Sequence, residues 1–244
     1  MLSVFPLEGL PEIEAGDDLA TLLADAAERA GGLLDADVVV VAQKIVSKAE
    51  GRVVSLDGIE PSAQARELAA DADPRHVELI LRESVRIVRS RPPLVIAETR
   101  HGFICASAGV DASNAKGAGT VVLLPLDPDA SAARIRDGLR ERTGRNVGVI
   151  VSDSFGRPFR QGTTDIALGV AGLRPLLDLR GSRDRAGYEL QSTQIAVADE
   201  LAGAAELVLG KSGDNPAAVV RGVDLRGDGT GRELVMPAER DLFR

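Results

Sequence analysis

The sequence predicts an α/β fold, mixed in its arrangement of helices and strands, and three observations lead to this prediction. Residues 38–42 and 147–151 are short apolar runs rich in Val and Ile, which is typical of buried strands. Segments with apolar faces and charged ends, such as residues 19–30, alternate with these runs as helices would. Aromatic residues make up only 2% of the chain, so Val, Leu, Ile and Ala must form the core, which suits helices packed on strands.

The N-terminal half shows this alternation clearly. Residues 2–5 are predicted as a short strand, and the helix 19–30 begins after two acidic residues and ends at Gly31-Gly32. The strand 38–42 follows. Residues 61–89 are predicted as one helix that stops before Pro92-Pro93, with an apolar face formed by Leu79, Ile80, Val85 and Ile87.

The C-terminal half continues the pattern. Extended chain is predicted at 94–97, 103–108, 120–124, 147–151 and 217–221, from their apolar composition. Helices are predicted at 127–142, where acids begin the segment and arginines end it, at 167–177 and at 195–209. Residues 180–188 form a polar loop that could cross between domains.

Composition and charge exclude several classes of function. The net charge is −8, from 29 basic and 37 acidic residues, which argues against a general nucleic-acid-binding protein. Cys105 is the only cysteine and there are two histidines, so an internal disulfide is excluded and a zinc site is not expected. Any metal would be a hard cation on oxygen ligands. Without a long apolar run or a signal peptide, we expect a soluble, cytoplasmic protein that binds no membrane.

The stretch from residue 147 to residue 165 carries the strongest candidate site. The predicted strand leads into Asp153 and Ser154, and buried strands of α/β proteins carry their chemistry at the carboxyl end. A carboxylate followed by a hydroxyl suits a divalent cation that also binds phosphate oxygens. The alternative is an aspartate that caps a turn before Gly156 and Pro158. The polar residues that follow favour a site over a turn: Arg157, Arg160, Gln161, Thr163, Thr164 and Asp165.

Other strand ends also carry polar candidates. Lys48 follows the first of the two strong strands and could hold a phosphate as a point charge, or be a solvated lysine. Asp111 and Asn114 form an oxygen-rich cluster, although Asp-x-Ser-Asn is also common in ordinary turns. Cys105 lies in the same region as His101, but no local signature supports a Cys–His nucleophile. We therefore expect a buried structural thiol there.

Several nucleotide-binding and hydrolase motifs are absent from the sequence. Gly210-Lys211-Ser212 resembles the end of a P-loop, but Ala205 stands where that motif needs a glycine, and a helix precedes the segment. A phosphate contact from the backbone of this turn stays open. There is no Gly-x-Gly-x-x-Gly after a strand and no Gly-x-Ser-x-Gly elbow, and Phe155 stands where an Asp-x-Asp phosphatase needs its second aspartate. A standard Rossmann or P-loop fold is therefore not expected.

Five stretches together, in order and spacing, resemble the coenzyme F420:gamma-glutamyl ligase family in its stand-alone form. They are Gly9-Leu-Pro-Glu-Ile, Gln43-Lys-Ile-Val-Ser-Lys-Ala-Glu-Gly, Ala108-Gly-Val-Asp-Ala-Ser-Asn, Val151-Ser-Asp-Ser-Phe-Gly-Arg-Pro-Phe-Arg and Ile195-Ala-Val-Ala-Asp-Glu. The resemblance covers nearly the whole chain and implies a two-domain α/β ligase fold. Residues 1–88 with 185–244 would form the first domain, and residues 89–184 an inserted second domain. It also implies a homodimer with its active site in a groove at the domain and subunit junction.

The resemblance also assigns roles to individual residues. Asp111 and Asp153 match the positions that bind one divalent cation, and Ser154 matches a position whose hydroxyl contacts a second. Both cations would be Mg²⁺ or Mn²⁺, and a monovalent cation such as K⁺ could accompany them. Gln43 stands where relatives carry Ser, and Lys211 where some carry Gln. The positions that match GTP contacts are Leu10, Pro11, Glu12, Ile13, Gln43, Lys48, Asn114, Leu209, Gly210, Lys211, Ser212, Gly213, Asp214, Asn215 and Pro216.

The activity that the resemblance implies is GTP-dependent addition of L-glutamate to the deazaflavin precursor of coenzyme F420, first as an amide and then through gamma-glutamyl linkages. Transfer of the GTP γ-phosphoryl group to the acceptor carboxylate would give an acyl phosphate, which the glutamate amine attacks. Arg157 and Arg160 are candidates for binding the coenzyme phosphodiester or the glutamate carboxylates. Two alternatives stay open: a metal-dependent phosphohydrolase and a nucleotide-binding module without catalysis.

Overall fold

The computed structural model describes residues 1–112, 119–210 and 215–242. Within these ranges the β-strands are β1 (Ser3–Pro6), β2 (Val38–Ala42), β3 (Val53–Ser55), β4 (Ser84–Arg91), β5 (Leu94–Thr99), β6 (Ile104–Ala106), β7 (Thr120–Val122), β8 (Gly148–Gly156), β9 (Thr163–Ala171), β10 (Leu177–Asp178), β11 (Gln194–Ile195) and β12 (Ala217–Arg221). The α-helices are α1 (Leu19–Arg29), α2 (Gln43–Ala49), α3 (Ala63–Ala69), α4 (Pro74–Glu83), α5 (Pro128–Thr143) and α6 (Val197–Leu209). None of the helices in these ranges has the length and apolar composition needed to cross a membrane.

A central sheet contains five of these strands, in the order β1-β12-β2-β8-β9. β2 and β8 run parallel, with Val38 opposite Gly148, while the other neighbours are antiparallel. The apolar runs of both central strands are buried residue after residue. Such burial on two faces explains why neither run alternates with polar residues. It stabilises the fold by roughly 25 cal/mol for each Å² of apolar area removed from water.

Helices cover both faces of the central sheet. On one face α1 and α5 share a core with Val39, Val41 and Val149. On the other face α6 packs against Val40 and Ile150. Because successive strand residues point to opposite faces, a run of valines supplies both cores at once. This three-layer arrangement confirms the predicted α/β class.

The remaining strands form a smaller part of the structure. β4, β5 and β6 make an antiparallel three-stranded sheet, and β3 pairs with β7. Helix α4 contributes Leu79 and Ile80 to a core that also contains Val95 and Val121. This core is distinct from the two cores around the central sheet, so the smaller part has a hydrophobic interior of its own.

The single helix predicted at residues 61–89 is wrong. α3 begins after Ser62 and α4 after Asp73, and each of these capping side chains accepts a backbone N–H. After α4 the chain becomes strand β4, which pairs with β5. Val85 is 66% exposed whereas Ile87 packs against the core. The apolar pattern of this part therefore belongs to a half-buried strand and not to a helix face.

The helix predicted at residues 167–177 is also wrong, because residues 167–171 lie in strand β9 and the rest of the segment is not helical. β9 forms a hairpin with β8, and the pairing carries β8 to Gly156, beyond the predicted end at Val151. Gly169 permits close packing of this hairpin, since a Cβ there would lie 2.1 Å from the carbonyl oxygen of Pro128. The glycines of this segment thus reflect the close approach of another part of the backbone.

The central sheet contains strands from both predicted domains. β8 and β9 lie within residues 89–184, which were predicted to form an inserted domain, yet β8 pairs with β2 at the centre of the sheet. Helix α5 comes from the same predicted domain and packs on the central sheet. α5, β8 and β9 therefore belong structurally with the first part of the chain, because they complete its sheet and core. The division into two domains as such stays a prediction.

Candidate functional site

A cleft of about 1260 Å³ opens at the carboxyl ends of β2 and β8. Its walls come from the turn at residues 10–13, helix α2, the segment 105–111, the β8–β9 hairpin and the end of α6. The predicted nucleotide and metal residues that line it are Leu10, Pro11, Glu12, Ile13, Gln43, Lys48, Asp111, Asp153, Ser154, Leu209, Gly210, Asn215 and Pro216. The other predicted residues of this set lie outside the described residues, namely Asn114, Lys211, Ser212, Gly213 and Asp214.

The parallel pairing of β2 and β8 explains why distant parts of the chain meet in the cleft. Both strands end at the same edge of the sheet, which is where α/β proteins place their ligands. Helix α2 starts directly after β2 and brings Lys44 and Lys48 to the cleft. Asp153 and Ser154 lie on the part of β8 that continues past the end of β2. The sheet topology therefore places a basic helix beside an acidic strand.

Asp153 is a strand residue that pairs with Ile166, so the alternative reading as a turn cap is wrong. Burial, and to a smaller extent the carboxylates of Asp165 and Asp111, raise the pKa of Asp153 to about 7, although a backbone hydrogen bond from Ser154 opposes the shift. The charged form of this carboxyl group is disfavoured because the surroundings provide too little positive charge. A bound cation would supply that charge.

Asp111 reaches the cleft from outside the central sheet. Its backbone exchanges hydrogen bonds with Val122, and its carboxylate lies 2.8 Å from the ammonium group of Lys44. Lys44 had no predicted role. Its position at the start of a helix that directly follows a buried strand, next to Gln43, is the signal that could have identified it.

The β8–β9 hairpin adds a further carboxylate to the cleft. Asp165 on β9 is only 6% exposed, and its two oxygens accept hydrogen bonds from the hydroxyls of Ser154, at 2.6 Å, and Ser152, at 3.0 Å. The backbone N–H of Asp165 donates to the carboxylate of Glu206, at 3.0 Å. Asp165 and Glu206 both line the cleft. Neither residue had a predicted role of its own, because the contact between them joins positions far apart in the chain.

The residues of the cleft fit a hard divalent cation that is shared with a phosphate ligand. In the described part of the chain, no group of three His, Cys, Asp or Glu side chains is arranged to hold a metal by itself. The carboxylates of Asp111 and Asp153 are nevertheless a usual protein contribution for Mg²⁺, which takes its remaining ligands from substrate phosphates and water. The hydroxyl oxygen of Ser154 would be available to a second cation. The raised pKa of Asp153 is the observation that supports this fit.

Three predicted nucleotide residues on the other wall, Glu12, Gln43 and Lys48, are engaged in contacts within the protein. The ammonium group of Lys48 lies 2.7 Å from the carboxylate of Glu12. Gln43 is buried, and its amide nitrogen donates to the hydroxyl of Ser47, at 2.6 Å, and to the carbonyl oxygen of Leu123, at 3.2 Å. The amide of Gln43 therefore tethers α2 to the chain that follows β7.

The two arginines predicted to bind substrate do not line the cleft. Arg157 and Arg160 lie in the connection between β8 and β9. The guanidinium of Arg157 donates to the carbonyl oxygens of Gln161, at 2.6 Å, and Gly162, at 3.5 Å. These hydrogen bonds stabilise the connection between β8 and β9.

Cys105 lines the cleft as a buried thiol, in agreement with the sequence analysis. Burial, followed by the neighbouring charge of Asp153, raises the pKa of Cys105 to about 12. The thiolate is the nucleophilic form of cysteine, so a thiol with this pKa does not act as a nucleophile near neutral pH. The ring of His101 stacks on Phe103, and its Nε2 is 3.1 Å from the carbonyl oxygen of Leu126.

Comparison with known proteins gives consistent matches across the chain. A family model described as F420-0:Gamma-glutamyl ligase matches residues 9–222. A protein of Methanothermobacter thermautotrophicus named coenzyme F420:L-glutamate ligase is 48% identical over 250 residues, which cover 100% of this chain and 99% of that protein. Proteins with the same name from Methanopyrus kandleri and Haloarcula marismortui are each 47% identical. Those alignments cover 98% and 100% of this chain, and 95% and 96% of the respective relatives.

Proposed function

The chain belongs to the F420-0:gamma-glutamyl ligase family, and from this premise we propose that it joins L-glutamate to the deazaflavin precursor of coenzyme F420. The relatives that it matches over almost their whole length are named for glutamate ligation. The single observation on the structure that supports the proposal is the cleft. It collects three aspartates (Asp111, Asp153 and Asp165), the hydroxyl of Ser154 and two lysines.

We infer that GTP drives the reaction through an acyl phosphate. An acceptor carboxylate does not react with an amine at neutral pH, because its carbon is a poor electrophile. In the first step a carboxylate oxygen bonds to the γ-phosphorus, and the bond to the oxygen of the β-phosphate breaks, releasing GDP. In the second step the amine nitrogen of glutamate bonds to the carbonyl carbon, inorganic phosphate leaves and the amine loses a proton. The product is an amide, and later cycles would add gamma-linked glutamates.

The cleft residues have distinct roles in this scheme. Asp111 and Asp153 would hold one divalent cation and the hydroxyl oxygen of Ser154 a second, with Mg²⁺ or Mn²⁺ as the ions. When bound, these cations offset the repulsion between the polyphosphate and the acceptor carboxylate. Lys48 would bind phosphate once it leaves Glu12. The acyl phosphate would have to be shielded from water, which would otherwise hydrolyse it, and a position inside the cleft would serve this purpose.

The test is incubation of the purified protein with GTP, Mg²⁺ or Mn²⁺, L-glutamate and the deazaflavin precursor. Mass spectrometry should show the precursor heavier by one glutamyl unit for each cycle, with one GDP formed for each unit added. Parallel reactions without glutamate and with ATP in place of GTP test the two co-substrates. Phosphate release without a heavier precursor would instead indicate a phosphohydrolase, and tight GTP binding without turnover would indicate a nucleotide-binding module.

A further inference from the structure

Asp165 and Ser154 form a cross-strand pair inside the cleft. They lie opposite each other in the register of β8 and β9, and the Ser154 hydroxyl donates to Oδ1 of Asp165 at 2.6 Å. This distance is typical of a hydrogen bond to a charged carboxylate, which is stronger than one between neutral groups. The second oxygen, Oδ2, accepts from Ser152 at 3.0 Å. The carboxylate of Asp165 thus fixes two hydroxyls of β8.

The direction of this hydrogen bond determines whether the proton or the lone pairs of the Ser154 hydroxyl are available to the cleft. A serine hydroxyl has one proton and two acceptor lone pairs. Since the proton of Ser154 is directed at Asp165, its lone pairs are directed elsewhere, and Ser154 lines the cleft. A lone pair, and not a proton, is what a cation requires. An unrestrained hydroxyl would have to give up other orientations on binding.

The alternation of side chains along β8 places Ser154 and Asp165 on the opposite face from Asp153, the proposed ligand of the first cation. Ser152 and Ser154 point to one face of the hairpin together with Asp165, and Asp153 points to the other face. On the side of Asp165, the neighbouring acid is Glu206 of α6, which holds the backbone of Asp165. The carboxylate of Asp165 is therefore positioned to orient the hydroxyl of Ser154.

We propose that Asp165 is a positioning residue for the second cation: it orients the Ser154 hydroxyl so that the oxygen faces the ion. The inference rests on the proposed function, because that function places a cation at Ser154. Asp165 acts through Ser154 and does not itself bind the ion. Both of its oxygens already accept hydrogen bonds, and the residue is 6% exposed.

The test measures Mn²⁺ binding by electron paramagnetic resonance in the presence of a non-hydrolysable GTP analogue. Asp165→Asn keeps the size of the side chain but removes the charge that orients the hydroxyl. Loss of such a supporting partner typically weakens metal binding about 10- to 100-fold, and we expect this loss for one of two Mn²⁺ ions. Ser154→Ala should weaken the same ion. Ser152→Ala is the matched control, since it removes the other hydroxyl from Asp165 and should leave both Mn²⁺ affinities near those of the wild type.

The double variant Asp165→Asn/Ser154→Ala separates positioning from direct ligation. If Asp165 acts through Ser154, Asp165→Asn has no further effect on Mn²⁺ affinity once the hydroxyl is gone. A further loss in the double variant would overturn the proposal, because Asp165 would then bind the ion itself. Thermal unfolding of each variant confirms that it is folded before binding is compared.

Two other results would also decide the question. If the wild-type protein binds two Mn²⁺ ions and Asp165→Asn binds both as tightly, the assignment of Asp165 is overturned while the proposed function stands. If the wild-type protein with the GTP analogue binds no Mn²⁺, the cation role of the proposed function fails, and the assignment of Asp165 fails with it.

Discussion

The ammonium group of Lys48 lies 2.7 Å from the carboxylate of Glu12, across the wall of the cleft. The side chain of Lys48 is 11% exposed and that of Glu12 is 53% exposed. Because Glu12 can be hydrated as soon as the pair separates, the pair is worth little, about 0–1 kcal/mol. A phosphate with two negative charges can therefore replace Glu12 as the partner of Lys48.

Lys48→Ala should weaken GTP binding. Loss of one charge-assisted hydrogen bond to a phosphate costs about 1.5–3 kcal/mol, which corresponds to roughly a 10- to 100-fold lower affinity. Isothermal titration calorimetry with GTP measures the change. Arg66→Ala, which removes an exposed cation paired with Glu60 on the surface, is the control and should bind GTP normally. An unchanged affinity in Lys48→Ala would show that this lysine only pairs with Glu12.

Asp153→Asn should abolish most of the ligase activity while the protein stays folded. Asparagine keeps the shape of the side chain but removes the negative charge that a divalent cation needs. We expect ligation, followed by the mass of the product, to fall by orders of magnitude, with excess Mg²⁺ or Mn²⁺ restoring little of it. Asp178→Asn changes an exposed aspartate and serves as control. Near-normal ligation by a folded Asp153→Asn protein would show that Asp153 is not a cation ligand.

Gln43→Met should lower stability more than it lowers nucleotide affinity. The change removes the buried amide that donates to Ser47 and Leu123, and leaves two buried acceptors without that donor. The expected cost is about 1–3 kcal/mol in the free energy of unfolding, measured by denaturant titration. GTP affinity should stay within a few-fold of wild type. An unchanged stability together with a large loss of GTP affinity would instead support the GTP contact that the family resemblance implies for Gln43.

Because of Cys105, the free energy of unfolding should decrease at alkaline pH. The folded protein keeps this thiol protonated because burial raises its pKa to about 12, whereas the thiol of the unfolded chain ionises near pH 8.5. The unfolded state therefore binds fewer protons above that pH, and the contribution of Cys105 to stability is lost as pH rises from the unfolded towards the folded pKa.

Thermal unfolding of the wild type and of Cys105→Ala between pH 7 and pH 10 tests this prediction. The wild type should lose more of its Tm over this interval than the variant, and the folded wild type should react slowly with iodoacetamide at pH 8. Rapid alkylation of the folded protein would contradict the raised pKa.

The protein should form a homodimer, as the family resemblance implies. Light scattering at micromolar concentration should give about twice the chain mass of 25.5 kDa. Activity measured across a dilution series should fall where the dimer dissociates, if the groove needs both subunits. A monomer that is fully active at every concentration would refute this prediction.

The sequence by itself determined the elements whose signal is local. The valine run 38–42 and the apolar run 147–151 indicated strands, because short apolar runs rich in β-branched residues are typical of strands buried on both faces. Helices α1 and α5 were determined by the capping residues Asp18 and Asp127, which the structure shows accepting backbone N–H groups. The same local signals placed Lys48 and Asp153 after the two predicted strands, and so near the cleft.

The tertiary structure alone decided what depends on partners distant in the chain. The positions of Val85 and Ile87 are compatible with a helix, and only the pairing of β4 with β5 shows that they lie in a strand. The need for glycine at Gly169 is evident only from the close approach of Pro128. The carboxylate of Asp165 meets Ser152 and Ser154 through the register of β8 and β9. Strand pairing is set by backbone hydrogen bonds and by burial against other elements, whereas a local pattern reports only on its own segment. No local pattern indicates the parallel neighbour of β2, because that neighbour comes from more than 100 residues later in the chain.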